Sequence, residues 1–175
     1  MFLIGNPEKI TKGGSVICTY TYDNRLRPAT YTEGKAVTTY TYDNRDRLTS
    51  EVIKEGTKVL SNKTYTYENN STGLKTTEKI KGDSSSADIT NITQADVLGR
   101  NTMVTDQGDT TYYTYDMLNN VIKSQNYIGK SGTRTVYLTM DYTYDSMGNV
   151  LSTTRTDDTD TANAKKTYAT YDMLG

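Results

Sequence analysis

Thr19-Tyr-Thr-Tyr-Asp-Asn-Arg25 and Thr39-Tyr-Thr-Tyr-Asp-Asn-Arg45 are the same seven residues, set 20 positions apart. Side chains alternate along a strand, so Tyr20 and Tyr22 share one face and Thr21 takes the other. The aspartate that follows starts a turn, because its short carboxylate reaches the backbone N–H two residues on. One such segment predicts a strand running into a hairpin turn. The unchanged second copy predicts a repeat architecture.

Working outward, weaker copies follow. Thr64–Glu68 reads TYTYE, Thr111–Asp116 reads TYYTYD, Asp141–Asp145 reads DYTYD and Tyr168–Asp172 reads YATYD. A degenerate unit, 92–100, lacks the tyrosines and still ends Asp96-Val-Leu-Gly99-Arg100. The closing acids stand at 23, 43, 68, 96, 116, 145 and 172, giving spacings of 20, 25, 28, 20, 29 and 27. Lengths that vary around a fixed motif place the variation in loops. Residues 69–73 read as an insertion.

The tails Asp43-Asn-Arg-Asp-Arg47, Asp116-Met-Leu-Asn-Asn120 and Asp145-Ser-Met-Gly148-Asn149 resemble one another. An Asp-x-x-Gly tail suits a type I turn closed by a left-handed glycine. Asp23, Asp43, Asp96, Asp116 and Asp145 are therefore predicted turn initiators, a role that excludes work as free catalytic carboxylates. The pairs Tyr20/Tyr22, Tyr40/Tyr42, Tyr65/Tyr67, Tyr113/Tyr115 and Tyr142/Tyr144, with Tyr171, hold 11 of the 16 tyrosines at equivalent positions. Units lying side by side would then carry ring ladders across neighbouring strands.

A second turn signal recurs between the motifs, at Glu33-Gly34-Lys35, Glu55-Gly56-Thr57, Asp106-Gln-Gly-Asp109 and Gly129-Lys-Ser-Gly132. Each repeat is then two strands and two turns. The predicted fold is all-β: tandem antiparallel β-hairpin repeats forming a twisted, curling meander sheet. About fourteen strands at ~4.8 Å spacing give a strip on the order of 65 Å wide, beyond what an open twisted sheet holds flat.

Composition agrees. Apolar residues make up 34% and mean hydropathy is −0.73, values that alone lean toward disorder. The tyrosines counter this, since each buries a large ring while keeping a polar tip. Charge is balanced at −1, which excludes an electrostatic drive toward nucleic acid. No apolar run reaches membrane-spanning length, and no signal peptide is read in this stretch. The chain has no His, and Cys18 is its one cysteine, so neither an activated nucleophile nor an internal disulfide is expected. Catalysis, a cofactor and a metal are not expected. Asp157-Asp-Thr-Asp160 lacks the glycine and distal Glu of a calcium loop and reads as a hairpin tip. Lys81–Ser86 reads as a loop.

These motifs resemble the YD or RHS repeat family, whose signature is similar to Tyr-x-Tyr-Asp-x-x-Gly-Arg-Leu. Its members include bacterial RHS proteins, wall-associated proteins, shell components of Tc insecticidal toxins, and animal teneurins. The resemblance runs from Gly5 to Gly175. It departs from the signature in keeping the Gly-Arg pair only at Gly99-Arg100, and in lacking the proline-containing self-cleaving segment, since the prolines are Pro7 and Pro28. The resemblance implies a spiralling sheet that forms a shell wall in a secreted or cell-surface protein. Such a shell encloses or displays a toxin, and YD repeats are also linked to carbohydrate binding and adhesion.

On that basis 1–175 is expected to be a single array of about seven units, with partial repeats at both ends, taken from a longer protein. The expected partners are neighbouring repeats, an encapsulated toxin domain or a cell-surface glycan, and another copy joined edge to edge. The tyrosines separate two functions. Buried ladders favour a wall, and solvent-facing rings beside Asn and Asp favour a sugar-binding surface.

Overall fold

The computed structural model describes residues 5–82 and 86–171. These form fourteen strands and no helix. The first seven are β1 (Lys9–Lys12), β2 (Ser15–Tyr22), β3 (Pro28–Glu33), β4 (Ala36–Tyr42), β5 (Leu48–Glu55), β6 (Lys58–Asn70) and β7 (Gly73–Ile80). Then come β8 (Ile89–Ala95), β9 (Asn101–Asp106), β10 (Asp109–Tyr115), β11 (Val121–Ser131), β12 (Arg134–Tyr144), β13 (Val150–Asp157) and β14 (Asp160–Tyr168). Sheet order is sequence order, β1 to β14, in an antiparallel meander. Asp172 and the middle of the 81–86 loop lie outside the described residues. The chain divides into two compact units, Met1–Thr66 with Thr77–Ile89, and Tyr67–Thr76 with Thr90–Gly175.

In the first unit, tight glycine hairpins alternate with the Asp turns. Glu33 pairs with Ala36 around Gly34-Lys35, and Glu55 with Lys58 around Gly56-Thr57. Gly34 and Gly56 both sit at φ 58°, a left-handed conformation that suits glycine and matches the twist of the flanking strands. On the face opposite the motif tyrosines, hydroxyls pair across strands, Thr21 with Thr30 at 2.7 Å and Thr41 with Thr49 at 3.0 Å.

The second unit repeats the scheme. Asp106 pairs with Asp109 around Gln107-Gly108, and Thr143 meets Ser152 at 2.8 Å. Asp157 pairs with Asp160, making Asp157–Asp160 the hairpin tip that the sequence predicts. That tip is fastened to β12: Asp158 donates its N–H to the Tyr137 carbonyl, and its Oδ2 accepts the Tyr137 N–H, both at 3.1 Å.

Two predicted turns move. The hairpin expected across Gly129–Gly132 turns only at Gly132, with Ser131 paired to Arg134. Gly129, at φ 133°, lies inside β11 at a register shift, where glycine admits a bulge. Glu68 does not open a turn. β6 runs past it to Asn70, whose Oδ1 accepts the Thr72 N–H at 3.0 Å, while Glu68 holds Lys75 Nζ at 3.2 Å. Glutamate carries one methylene too many to close on the backbone two residues ahead, and asparagine fits.

Packing is thin. Among the described residues the buried apolar side chains are Cys18 (5% exposed) and Val136 (3%), and none is fully enclosed. Cys18 is a small buried residue on β2. The ten motif tyrosines from Tyr20 to Tyr144 are all half-buried, so the apolar interior consists of ring faces shared between strands.

Candidate functional site

Five turns are built alike. Asp23 donates its N–H to the Arg27 carbonyl at 2.9 Å and accepts the Leu26 N–H at 3.0 Å. Its Oδ1 accepts the backbone N–H of Arg25 at 2.8 Å and of Arg27 at 3.0 Å, and Oδ2 accepts Arg27 Nε at 2.7 Å. Asp43 does the same with Arg45 and Arg47, and Asp96 with Leu98 and Arg100. Asp116 and Asp145 keep both backbone bonds and take the side-chain amide of Asn120 or Asn149 in place of arginine, at 2.9 and 3.0 Å. Each initiator's carboxylate thus accepts three N–H bonds, among them the one from two residues on that its predicted role requires.

The third residue after each Asp is left-handed: Leu26 (φ 61°), Asp46 (64°), Gly99 (83°), Asn119 (69°) and Gly148 (87°). Gly99 and Gly148 take the conformation that the Asp-x-x-Gly reading expects. Leu26, 72% exposed, adopts it without the freedom of glycine. Leu26→Gly is therefore expected to stabilise the first unit by about 1 kcal/mol, net of the extra entropy of its unfolded chain. A chemical denaturation midpoint that fails to rise would contradict this.

The turn acids are held ionised. The Arg27 side chain, then the Arg27 and Arg25 N–H groups, lower Asp23 despite burial. Burial is the largest influence on Asp43 and Asp96 and opposes ionisation, yet the arginine bonds together outweigh it. The Asn120 and Asn149 amides lead in lowering Asp116 and Asp145. A carboxylate whose folded pKa is depressed contributes its stabilisation fully above the usual aspartate range near 3.9. That contribution is lost as pH falls through the folded value. The chain has no His to titrate near neutrality. A melting temperature flat from about pH 5 to 8 and falling steeply below about pH 4 is expected in a pH series of thermal melts.

In five motifs the second tyrosine fastens its repeat to the one before. Tyr22 donates to the Pro7 carbonyl (2.8 Å), Tyr42 to Pro28 (2.9 Å), Tyr115 to Asn101 (2.7 Å), Tyr144 to Val121 (2.7 Å) and Tyr171 to Val150 (3.0 Å). Pro28, Asn101, Val121 and Val150 each stand five residues after the preceding turn acid. Ring burial raises the Tyr42, Tyr115 and Tyr144 pKa values, which keeps these hydroxyls as donors. In the degenerate unit Ala95 takes the tyrosine place and Gly73 the acceptor place, five residues after Glu68. There the backbones meet directly: a Cβ on Gly73 would lie 2.2 Å from the Ala95 carbonyl oxygen.

The first tyrosines do not form the expected ladder. Each repeat occupies two strands, so equivalent rings stand about 9–10 Å apart, beyond stacking reach. Tyr20 packs on Tyr22 (6.4 Å) and on Tyr31 directly across (5.0 Å). Tyr40 lies opposite Glu51, Tyr113 opposite Ser124 and Tyr142 opposite Thr153, and the Tyr65 hydroxyl donates to Glu78 at 3.1 Å. Tyr67 sits half-buried two residues on in β6.

Arginine makes a second tie that the motif reading sees only at Arg100. Arg27 lies over the Tyr42 ring at 4.4 Å and reaches the Asp43 carbonyl (3.3 Å) and Asp46 Oδ1 (2.7 Å). Arg100 lies over Tyr115 at 4.8 Å and reaches the Asp116 carbonyl (3.2 Å) and Asn119 Oδ1 (3.1 Å). One side chain therefore holds its own turn, the next turn and the next ring. The signal for Arg27 and Arg47 was their place four residues after an Asp, the same as Arg100.

A separate cluster lies on the opposite face of the second unit. Tyr112 and Tyr137 meet edge to face at 6.0 Å, and Tyr137 and Tyr127 at 6.2 Å, beside Gln125 and Thr139. Tyr112 is 40% exposed. In contrast to Tyr22, Tyr42, Tyr115, Tyr144 and Tyr171, the hydroxyls of these three make no hydrogen bond among the described residues. Among the described residues no group of acids and cysteines has metal-binding geometry. Compared with known proteins, the chain matches no family model and no curated protein.

Proposed function

We propose that the chain is a non-catalytic YD/RHS-repeat segment that builds the β-shell wall of a large secreted or cell-surface protein, one that encloses or displays a toxin. The observation that carries this reading is the tie from five of the repeats to their predecessors, a tyrosine hydroxyl on a backbone carbonyl. Residues committed to fastening neighbours are what a wall needs, since repeats of this kind gain their stability from the interfaces between them. The test is protease protection in the full-length parent. The region downstream of the repeats should resist digestion in the intact protein and be cut once Asp43→Ala and Asp116→Ala loosen the turns. Equal digestion in both would overturn the reading.

A second reading, a carbohydrate-binding surface, is favoured by the Tyr112–Tyr137–Tyr127 cluster, whose rings and unbonded hydroxyls suit stacking on a sugar. It moves the sugar platform away from the motif tyrosines. A glycan array separates the two. Binding lost in Tyr112→Ala and Tyr137→Ala but kept in Tyr42→Phe supports the surface, and no binding by the wild type leaves the wall.

A further inference from the structure

We propose that the Asp-turn edge of the second unit is a membrane-contact surface, where a row of apolar turn tips seats the sheet on the interface of a neutral lipid bilayer. The meander brings the Asp96, Asp116 and Asp145 turns to one edge, between β8 and β9, β10 and β11, and β12 and β13. Successive turns there stand two strands, about 9–10 Å, apart. Their tips are Val97, Leu98, Met117, Leu118 and Met147, between 71% and 99% exposed. Exposed apolar side chains grouped in this way mark a contact surface. The turn itself does not require them. In the first unit the same two places read Asn24-Arg25 and Asn44-Arg45, in turns closed by the same bonds.

The tips are made to leave water. No charged residue stands at 97–99, 117–119 or 146–148. Behind each tip the turn acid accepts the N–H groups of the second, third and fourth residues on, through Oδ1 and its own carbonyl. Those N–H groups enter an apolar phase already bonded. Two other covers fit the row poorly. The opposite edge of the same unit is charged: Asp106 and Asp109 flank one hairpin, and Arg134 meets Asp158 at 3.5 Å between two others. Those charges would lose their water against apolar side chains. A second copy of the row is apolar, but a line about 20 Å long and one side chain thick falls far short of the ~800 Å² per partner of a stable dimer. A bilayer needs no matching shape and takes apolar side chains directly beneath its headgroups. With no charge of its own, the row suits phosphatidylcholine and is insensitive to salt.

Flotation with vesicles of phosphatidylcholine alone tests the contact. The wild type should float with them, to the same extent at about 0.1 and 0.5 M salt. A variant carrying Val97→Ser, Leu98→Ser, Met117→Ser, Leu118→Ser and Met147→Ser should partition about ten-fold less or lower. Its strand circular dichroism should be unchanged, since these side chains lie outside the packing. A wild type that does not float, flotation abolished by salt, or a serine variant that floats as well as the wild type overturns the proposal. So does sedimentation showing a wild-type dimer that the serine variant lacks, which would assign the row to a second copy. Should the serine variant lose its strand signal, fluorescence decides. The chain has no Trp, so Met117→Trp carries the only indole. Its emission should shift to the blue when vesicles are added and be quenched by brominated phosphatidylcholine. An emission that neither shifts nor quenches refutes the contact.

Discussion

Gly73→Ala should cost the second unit about 3 kcal/mol or more, the largest effect expected of any single substitution here. Two penalties coincide. The residue sits at φ 134°, which L side chains rarely adopt, and the new methyl would lie 2.2 Å from the Ala95 oxygen and 2.6 Å from the Asp96 carbonyl carbon. Those atoms are backbone and cannot swing aside, so β7 would have to move off the Asp96 turn. Gly34→Ala is the control. At φ 58°, with nothing within 4 Å of its Cβ, it carries the conformational penalty alone and should cost about 1 kcal/mol. Equal losses in denaturant titrations of the two variants would mean that the close approach at Gly73 has no energetic weight.

Tyr42→Ala should destabilise the first unit by about 2–3 kcal/mol, toward the lower end for aromatic truncation because the ring is only half-buried. The change removes three contacts together: the ring surface, the hydrogen bond to Pro28 and the seat under Arg27. Tyr42→Phe removes only the hydroxyl and should cost about 1 kcal/mol. If both variants melt like the wild type, the rings are ornaments on the sheet and the tyrosine tie does not hold repeats together.

The strand-and-turn plan was legible because period two and a short carboxylate are local properties, written in Tyr20-Thr-Tyr-Asp23 and its copies. The same local chemistry shows why Glu68 departs, although the motif copy TYTYE concealed it. Gly129 was misplaced because glycine serves a bulge as readily as a turn, and only the register distinguishes them. The contacts between repeats were not legible. Whether Tyr22 meets a ring or a carbonyl depends on the distance across two strands, and reading the motif along the chain overlooks that spacing. Arg27 and Arg47 escaped notice because the signature draws the eye to Gly-Arg, whereas the geometry requires only an arginine four residues past the Asp. Leu26 and Asp46 occupy a left-handed position because the acid and arginine fix the turn around them, which overrides residue preference. The cluster of Tyr112, Tyr127 and Tyr137 carries no motif and becomes visible only when three strands are laid side by side.

The central claim is that one repeat holds the next through side chains, and a double-mutant cycle between Arg100 and Tyr115 tests it most directly. Arg100 belongs to one turn and lies 4.8 Å from the ring of the following motif. The stabilities of the wild type, Arg100→Ala, Tyr115→Leu and the double variant give the coupling free of each residue's other contacts. A favourable coupling of about 0.5–1 kcal/mol is the predicted result. Strict additivity would contradict the account, since it would mean that Arg100 gains nothing from the ring of the following repeat.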